Sequence, residues 1–216
     1  MIQVKICGIT HAEQGRAIAQ MGATALGFIC VTRSPRYITA EQIRAIVPHL
    51  PEGVERVGVF VNADPAELVQ WVETAGLTAV QLHGNESPQL CRQVRALLPG
   101  IKLLKAFRVK DSSILVQTEA YSEWVDAFLL DAYHPTQLGG TGKTLDWETL
   151  KQFRPSVPWF LAGGLNPENV QEAIALTHPN GIDLSSGVEQ SPGIKDLQKV
   201  ERLFAQLQTT APQPLL

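Results

Sequence analysis

Eight short apolar runs recur along the chain, near 2–6, 25–29, 55–61, 78–82, 102–107, 126–130, 158–161 and 181–184, and a segment of helical character follows each. Stretches such as ALGFI, VGVFV and AFLL are apolar almost without a break. A strand with one face in water alternates apolar with polar residues, whereas a parallel strand covered on both faces does not. Eight strand–helix units of roughly 20–30 residues favour an α/β fold, a (β/α)8 TIM barrel, in which parallel strands close into a ring inside a ring of helices. The rival is a doubly wound open sheet. That fold wants G-x-G-x-x-G after its first strand, and the chain reads C-G-I-T-H-A there.

Helix starts are written into the segments between the runs. Thr10 with Glu13 and Thr39 with Gln42 fit a capping box, in which two side chains satisfy orphan amides of a first turn. Asp64-Pro65-Ala66-Glu67 offers an N-cap, a proline at the first helical position and an acid in the first turn. Asn166-Pro167 repeats that logic. Leu90, Val94, Leu97 and Leu98 mark the apolar face of a helix over 86–98, and Ile114, Leu115 and Tyr121 suggest another.

With 216 residues, 44% of them hydrophobic and 18% charged, the chain has material for one large core, and a single catalytic domain over 1–207 is expected. Residues 208–216, QTTAPQPLL, carry two prolines and no period, and are expected to fray. A net charge of −3 argues against nucleic acid or an anionic membrane as partner, since either would want a basic patch. No run approaches a membrane span, and no signal-peptide pattern opens the sequence, so a cytoplasmic protein is expected. The sequence offers no extra apolar face, which points to a monomer, with a homodimer as the alternative. Cys7, Cys30 and Cys91 are odd in number, widely spaced and without a CxxC, so neither a zinc site nor a disulfide framework is indicated.

A (β/α)8 barrel builds its active site at the C-terminal ends of its strands. The residues falling there are Cys7 and Gly8, Arg33 to Arg36, Asn62, His83 and Gly84, Arg108, Asp131, Gly163 and Gly164, and Ser185 to Gly187. An acid, a thiol, guanidinium groups and glycine turns thus converge on one face. LAGGLNPENV (161–170) and DLSSGVEQSPG (183–193) put small residues just after a strand, where glycine lets backbone amides approach an anion. Loops seven and eight are the usual phosphate site of this fold, although strand-to-helix turns alone would also use such residues. Asp131 ends an apolar strand and could serve as base, as general acid or as a cap on the next turn. Arg36 follows Pro35 in a rigid turn, where a planar guanidinium suits a bidentate grip on a carboxylate. His83 could orient a substrate or hold a loop. Cys30 and Cys91 are explained by packing, whereas Cys7 sits at the mouth with Gly8 behind it, leaving room for substrate.

LGGTGKT (138–144) invites a P-loop reading and fails it, because the motif needs glycine at 137 and the chain has Gln137. Residues 132–144 are instead expected to form a long loop with glycine hinges that closes over a small ligand. His11, His49, His134 and His178 show no metal-ligand spacing.

Eight motifs in order resemble the phosphoribosylanthranilate isomerase family: VKICGIT (4–10), SPRYI (34–38), VGVFVN (57–62), VQLHG (80–84), LLDA (129–132), GGTGKTLDW (139–147), LAGGLNPENV (161–170) and GIDLSSGVEQSPGIKD (181–196). The resemblance runs to about residue 207. It implies an Amadori rearrangement in tryptophan biosynthesis, from N-(5-phosphoribosyl)anthranilate to 1-(2-carboxyphenylamino)-1-deoxyribulose 5-phosphate, with no metal or other cofactor. It implies Cys7 as general base, Asp131 as general acid and Arg36 as the contact of the anthranilate carboxylate. It also implies a phosphate site on Gly142, Gly163, Gly164, Ser186 and Gly187, with His83 among the substrate contacts. A free thiol ionises near pH 8.5, so Cys7 would need positive potential nearby, from a backbone amide dipole or from Lys5.

Three other functions compete. An epimerase wants metal-binding His and Asp pairs at strand ends, and only His83 is comparably placed. A synthase of the indole-glycerol-phosphate type wants lysine and glutamate where this chain has cysteine and aspartate. A non-catalytic phosphosugar-binding barrel would need no acid–base pair at all.

Overall fold

The computed structural model describes residues 2–132 and 147–209. The eight runs become β1 (Gln3–Cys7), β2 (Ala25–Ile29), β3 (Glu55–Phe60), β4 (Ala79–Leu82), β5 (Lys102–Val109), β6 (Ala127–Ala132), β7 (Trp159–Leu161) and β8 (Gly181–Leu184). All pair in parallel in sequence order, and β8 returns beside β1 to close the barrel. The open-sheet rival is thereby excluded. Between the strands lie α1 (Ala12–Gln20), α2 (Ala40–Ile46), α3 (Pro65–Ala75), α4 (Pro88–Leu97), α5 (Ser113–Gln117), α6 (Trp147–Leu150) and α7 (Val170–Thr177), and α8 (Leu197–Thr209) follows. Among the described residues no helix is long and apolar enough to cross a membrane.

Each strand sends alternate side chains to two cores. Ala25, Val57, Ala79, Leu104, Ala106, Ala127, Leu129, Phe160 and Ala162 fill the barrel itself. The intervening residues, such as Val4 and Ile6 of β1, pack outward against helices that supply Ile18, Ile43 and Leu68. Two buried faces explain why the strands read as unbroken apolar runs. Each such aliphatic side chain contributes about 1.5–3 kcal/mol on burial.

Local signals hold where they depend only on neighbours. Thr39 Oγ1 accepts from the Gln42 amide while Gln42 Oε1 accepts from the Thr39 amide, a complete capping box. Asp64 caps α3 with Pro65 at its first position. The box expected at Thr10 is absent, because His11 occupies the N-cap of α1 and the Thr10 hydroxyl donates 2.6 Å to the Gly193 carbonyl. At NPEN the helix starts later than expected, at Val170. Asn166 instead caps a preceding turn by accepting from the amides of Glu168 and Asn169. The buried face of α4 is Cys91, Val94 and Leu98, and Leu97 is 54% exposed, since Cys91 takes the inner position and rotates the stripe by one residue. β5 and β6 run two residues past the expected ends, because Arg108 and Asp131 still pair in register. An unexpected antiparallel ribbon, β9 (Glu189–Ser191) and β10 (Ile194–Lys195), follows β8 and turns at Gly193, φ +83°.

The loop expected over 132–144 lies, apart from Ala132, outside the described residues, and Gly142, Lys143, Thr144 and His134 lie there too. The same holds for 210–216 of the expected tail.

Candidate active site

A cleft of about 650 Å³ opens at the C-terminal end of the strands. Cys7, Arg36, His83, Asp131, Gly163, Gly164, Ser186 and Gly187 all line it, so eight of the nine residues singled out from sequence meet in one place. Gly142, the ninth, lies outside the described residues. Asn62 and Gly84, also expected at the mouth, serve the loops instead: Asn62 Oδ1 accepts from the Asn85 amide, and a side chain at Gly84 would strike Asn62.

Cys7 is the last residue of β1 and faces the barrel interior, 6% exposed. Its sulfur rests in the space left by Gly27 on β2, where a Cβ would come within 2.6 Å of Sγ. Gly8 carries φ +83°, and the room its missing side chain leaves is taken by Arg36 Cδ, 2.8 Å from an ideal Cβ, rather than by substrate space. Behind Cys7, Lys195 Nζ donates 2.5 Å to the Cys7 carbonyl and 2.8 Å to Glu189 Oε1. Beneath it, Lys5 projects from the same strand face and donates 2.9 Å to Asp183 Oδ1 on β8. Burial pushes the Cys7 thiol up; Lys5 pulls it back, Asp183 adds to the rise and Lys195 again opposes it, leaving the thiol above its ordinary value.

Asp131 faces the cleft from β6, three strands around the ring from Cys7 by way of β7 and β8. His83 Nε2 lies 3.4 Å from Asp131 Oδ2, and His83 Nδ1 lies 2.9 Å from Gln81 Nε2. An amide nitrogen only donates, so Nδ1 accepts and the ring proton sits on Nε2, toward the carboxylate. Gln81 Oε1 and His83 Nε2 are buried without a hydrogen-bond partner among the described residues. Buried polar atoms left open in a cleft mark where a ligand completes the bonding.

Arg36 reaches the wall of the cleft, but its fork grips an internal carboxylate. Nε lies 2.9 Å from Glu189 Oε1 and Nη2 lies 2.7 Å from Glu189 Oε2. Nη1 makes no bond among the described residues. Burial pushes Glu189 up, yet the bonds from Arg36 and Lys195 outweigh it and hold the carboxyl below its ordinary value.

Gly163 and Gly164 take φ +86° and +68°, left-handed conformations that favour glycine. Ser186 and Gly187 open a short 3₁₀ turn after β8. A Cβ at Gly187 would coincide with the Leu165 carbonyl, so the glycine is what lets loops seven and eight touch. The amides of Gly163, Gly164, Ser186 and Gly187 make no bond among the described residues.

Sequence reasoning missed Asp183, Glu189, Lys195 and Gln81. For Asp183 a signal existed: a charge inside an apolar strand, GIDL, is rarely buried without purpose. Glu189 and Lys195 sit in a segment with no period and left none.

Comparison with known proteins agrees with this arrangement. The family model described as N-(5'-phosphoribosyl)anthranilate (PRA) isomerase matches residues 4–206. The N-(5'-phosphoribosyl)anthranilate isomerase of Rippkaea orientalis is 58% identical over 207 residues, spanning 96% of each chain. The crystal structure of phosphoribosyl anthranilate isomerase from Thermotoga maritima superposes with a TM-score of 0.89 at 39% identity, covering 97% of this chain and all of that one. A crystal structure of such an isomerase in complex with reduced 1-(o-carboxyphenylamino)-1-deoxyribulose 5-phosphate matches with a TM-score of 0.83 at 37% identity, again over 97% of this chain and all of that one. The chain belongs to the N-(5'-phosphoribosyl)anthranilate isomerase family.

Proposed function

We propose that Cys7 and Asp131 carry the two proton transfers of the rearrangement of N-(5-phosphoribosyl)anthranilate into its deoxyribulose product. The observation that carries this reading is their placement: a thiol on β1 and a carboxylate on β6 face one cleft from separate sides. Asp131 donates to the ribose ring oxygen, the bond from C1 to that oxygen breaks, and the anthranilate nitrogen forms an iminium. The iminium withdraws electrons and acidifies the proton on C2, which Cys7 removes as thiolate. The resulting enolamine takes a proton at C1 and loses one from the C2 hydroxyl to become the ketone. Each positioned proton transfer is worth roughly 10²–10⁴ in rate.

His83 Nε2 lies 3.4 Å from Asp131 Oδ2 and faces the same space. Arg36 offers Nη1 to the anthranilate carboxylate while Glu189 fixes the guanidinium plane. The open amides of Gly163, Gly164, Ser186 and Gly187 receive the phosphate, with Gly142 as a further contact on the family's pattern. A related isomerase bound to a reduced form of the product supports the same ligand class here. Among the described residues Leu97 and Val116 are the large hydrophobics that stand exposed, which supports a monomer over a homodimer, checked by sedimentation.

Loss of phosphoribosylanthranilate fluorescence tests the assignment. Wild-type protein is expected to consume the substrate with no added cofactor, and Cys7→Ser to remain folded with kcat at least a hundredfold lower. A Cys7→Ser protein that keeps full rate would overturn the base assignment.

A further inference from the structure

A base must be ionised when it acts, and the burial of Cys7, 6% exposed on the interior face of β1, works against a charge on its sulfur. The cleft therefore has to contain a charge that stabilises the thiolate during turnover. Four charged side chains face Cys7: Lys5 on its own strand, Asp183 on β8, Lys195 on β10, and Arg36 from the loop after β2. Burial pushes the Asp183 carboxyl up while Lys5 pulls it back, leaving it above its ordinary value, and as a carboxylate it opposes ionisation of Cys7. Arg36 gives its fork to Glu189. Lys195 spends its three donors on the carbonyls of Cys7 and Ser185 and on Glu189 Oε1, at 2.5, 3.3 and 2.8 Å. Its charge is answered by Glu189 and its protons are committed to fixing the backbone.

Lys5 differs. It is 1% exposed, and residues two apart on a strand share a face, so its side chain rises inside the barrel directly under Cys7. It gives one bond to Asp183 Oδ1 at 2.9 Å, and its charge acts on the Cys7 sulfur from the same strand face. We propose that Lys5 is a positioning residue for the reaction, the buried ammonium that serves as counter-ion to the Cys7 thiolate, with Asp183 keeping that ammonium charged. Burial pushes Lys5 down; Asp183 opposes this, as does Cys7 when it is a thiolate, and Lys5 is held above its ordinary value. Asp183 lines the same cleft as His83 and Asp131 and feels their charges as well. The ammonium moves no proton of the substrate. It acts through Cys7 by favouring S⁻ over SH when C2 is deprotonated.

This inference rests on Cys7 being the base, and the test separates the two. The rate of Cys7 alkylation by iodoacetamide is followed against pH by peptide mass spectrometry in wild type and in Lys5→Met. The neutral side chain is expected to move the alkylation midpoint up by at least one pH unit, and to lower kcat at least tenfold at pH 7 with KM changed less than threefold. Because Lys5→Met leaves Asp183 unpaired in the interior, Lys5→Met/Asp183→Asn removes both charges and guards against a folding failure; the midpoint is expected to rise there too, by less than in Lys5→Met, since the opposing anion is gone as well. An unmoved alkylation profile in a folded variant, with Cys7→Ser inactive, overturns the role of Lys5 and leaves Cys7 as base. A fully active Cys7→Ser overturns both.

Discussion

The two ends of the barrel interior are made by the same strands with different chemistry. At the lower end β4 turns Ala79 inward, β6 turns Ala127 and Leu129, and β5 turns Leu104, all within a continuous apolar filling. Higher up come Asp131, two residues beyond Leu129, then Arg108 and His83, four beyond Leu104 and Ala79, while β1 and β8 add Cys7 and Asp183. Two of the buried polar atoms without partners among the described residues, Gln81 Oε1 and His83 Nε2, belong to the upper end. A step of two to four residues along a strand thus separates side chains that fill the barrel from polar side chains that line the cleft. The fold tolerates the upper layer because the lower one, and the helix-facing core around it, supply the burial.

Glu189 offers the sharpest challenge to that division, since it is buried at the upper end and bonded to both Arg36 and Lys195. Removing its charge leaves two cations without their counter-ion, and breaking such a buried pair costs roughly 3–5 kcal/mol. Glu189→Gln should therefore lower stability as well as activity, which makes this residue a structural strut inside the catalytic layer. The pH dependence follows from its direction. The folded carboxyl lies below its ordinary value, so its stabilisation is complete above the unfolded value of about 4.3 and disappears as pH falls through the folded one. Urea midpoints measured from pH 6 to pH 2 should fall more steeply for wild type than for Glu189→Gln. Parallel curves would remove Glu189 from the account.

Gly27 tests the comparison from the other side. Adding one methyl there meets Cys7 Sγ at 2.6 Å, and a misplaced reacting group costs up to about a hundredfold in rate. Gly27→Ala should lose activity to that extent while stability drops by about 1–3 kcal/mol, the usual cost of overpacking. Kinetics and thermal melting on one preparation give both numbers, and unchanged kcat would show that the thiol does not need its present seat.

Much of the fold was legible in the sequence, because its signals are local or periodic. Unbroken apolar runs report two buried faces, and Thr39 and Asp64 cap helices with partners three and two residues away. Cys7 and Asp131 were legible as strand ends. What was not legible depends on closure of the ring. Thr10 reads as a cap until β8 returns beside β1 and brings Gly193 within 2.6 Å of its hydroxyl. Lys195 lies 188 residues from the carbonyl it holds, and no pattern in a short polar ribbon announces that. Gly27 reads as a weak strand residue, although its missing side chain is the seat of the sulfur.

The most direct measurement takes two residues of one strand, Leu129 and Asp131, which share a face and differ by one layer. Thermal midpoint and kcat are determined for Leu129→Ala and Asp131→Asn. Leu129→Ala should lose about 2–5 kcal/mol, lowering the melting temperature by at least about 4 °C, while the folded protein keeps its kcat within a few fold. Asp131→Asn should melt within a few degrees of wild type and lose at least a hundredfold in kcat. An Asp131→Asn protein with full turnover, or a Leu129→Ala protein that melts unchanged and loses its rate, would contradict the division of the barrel into a layer that holds and a layer that reacts.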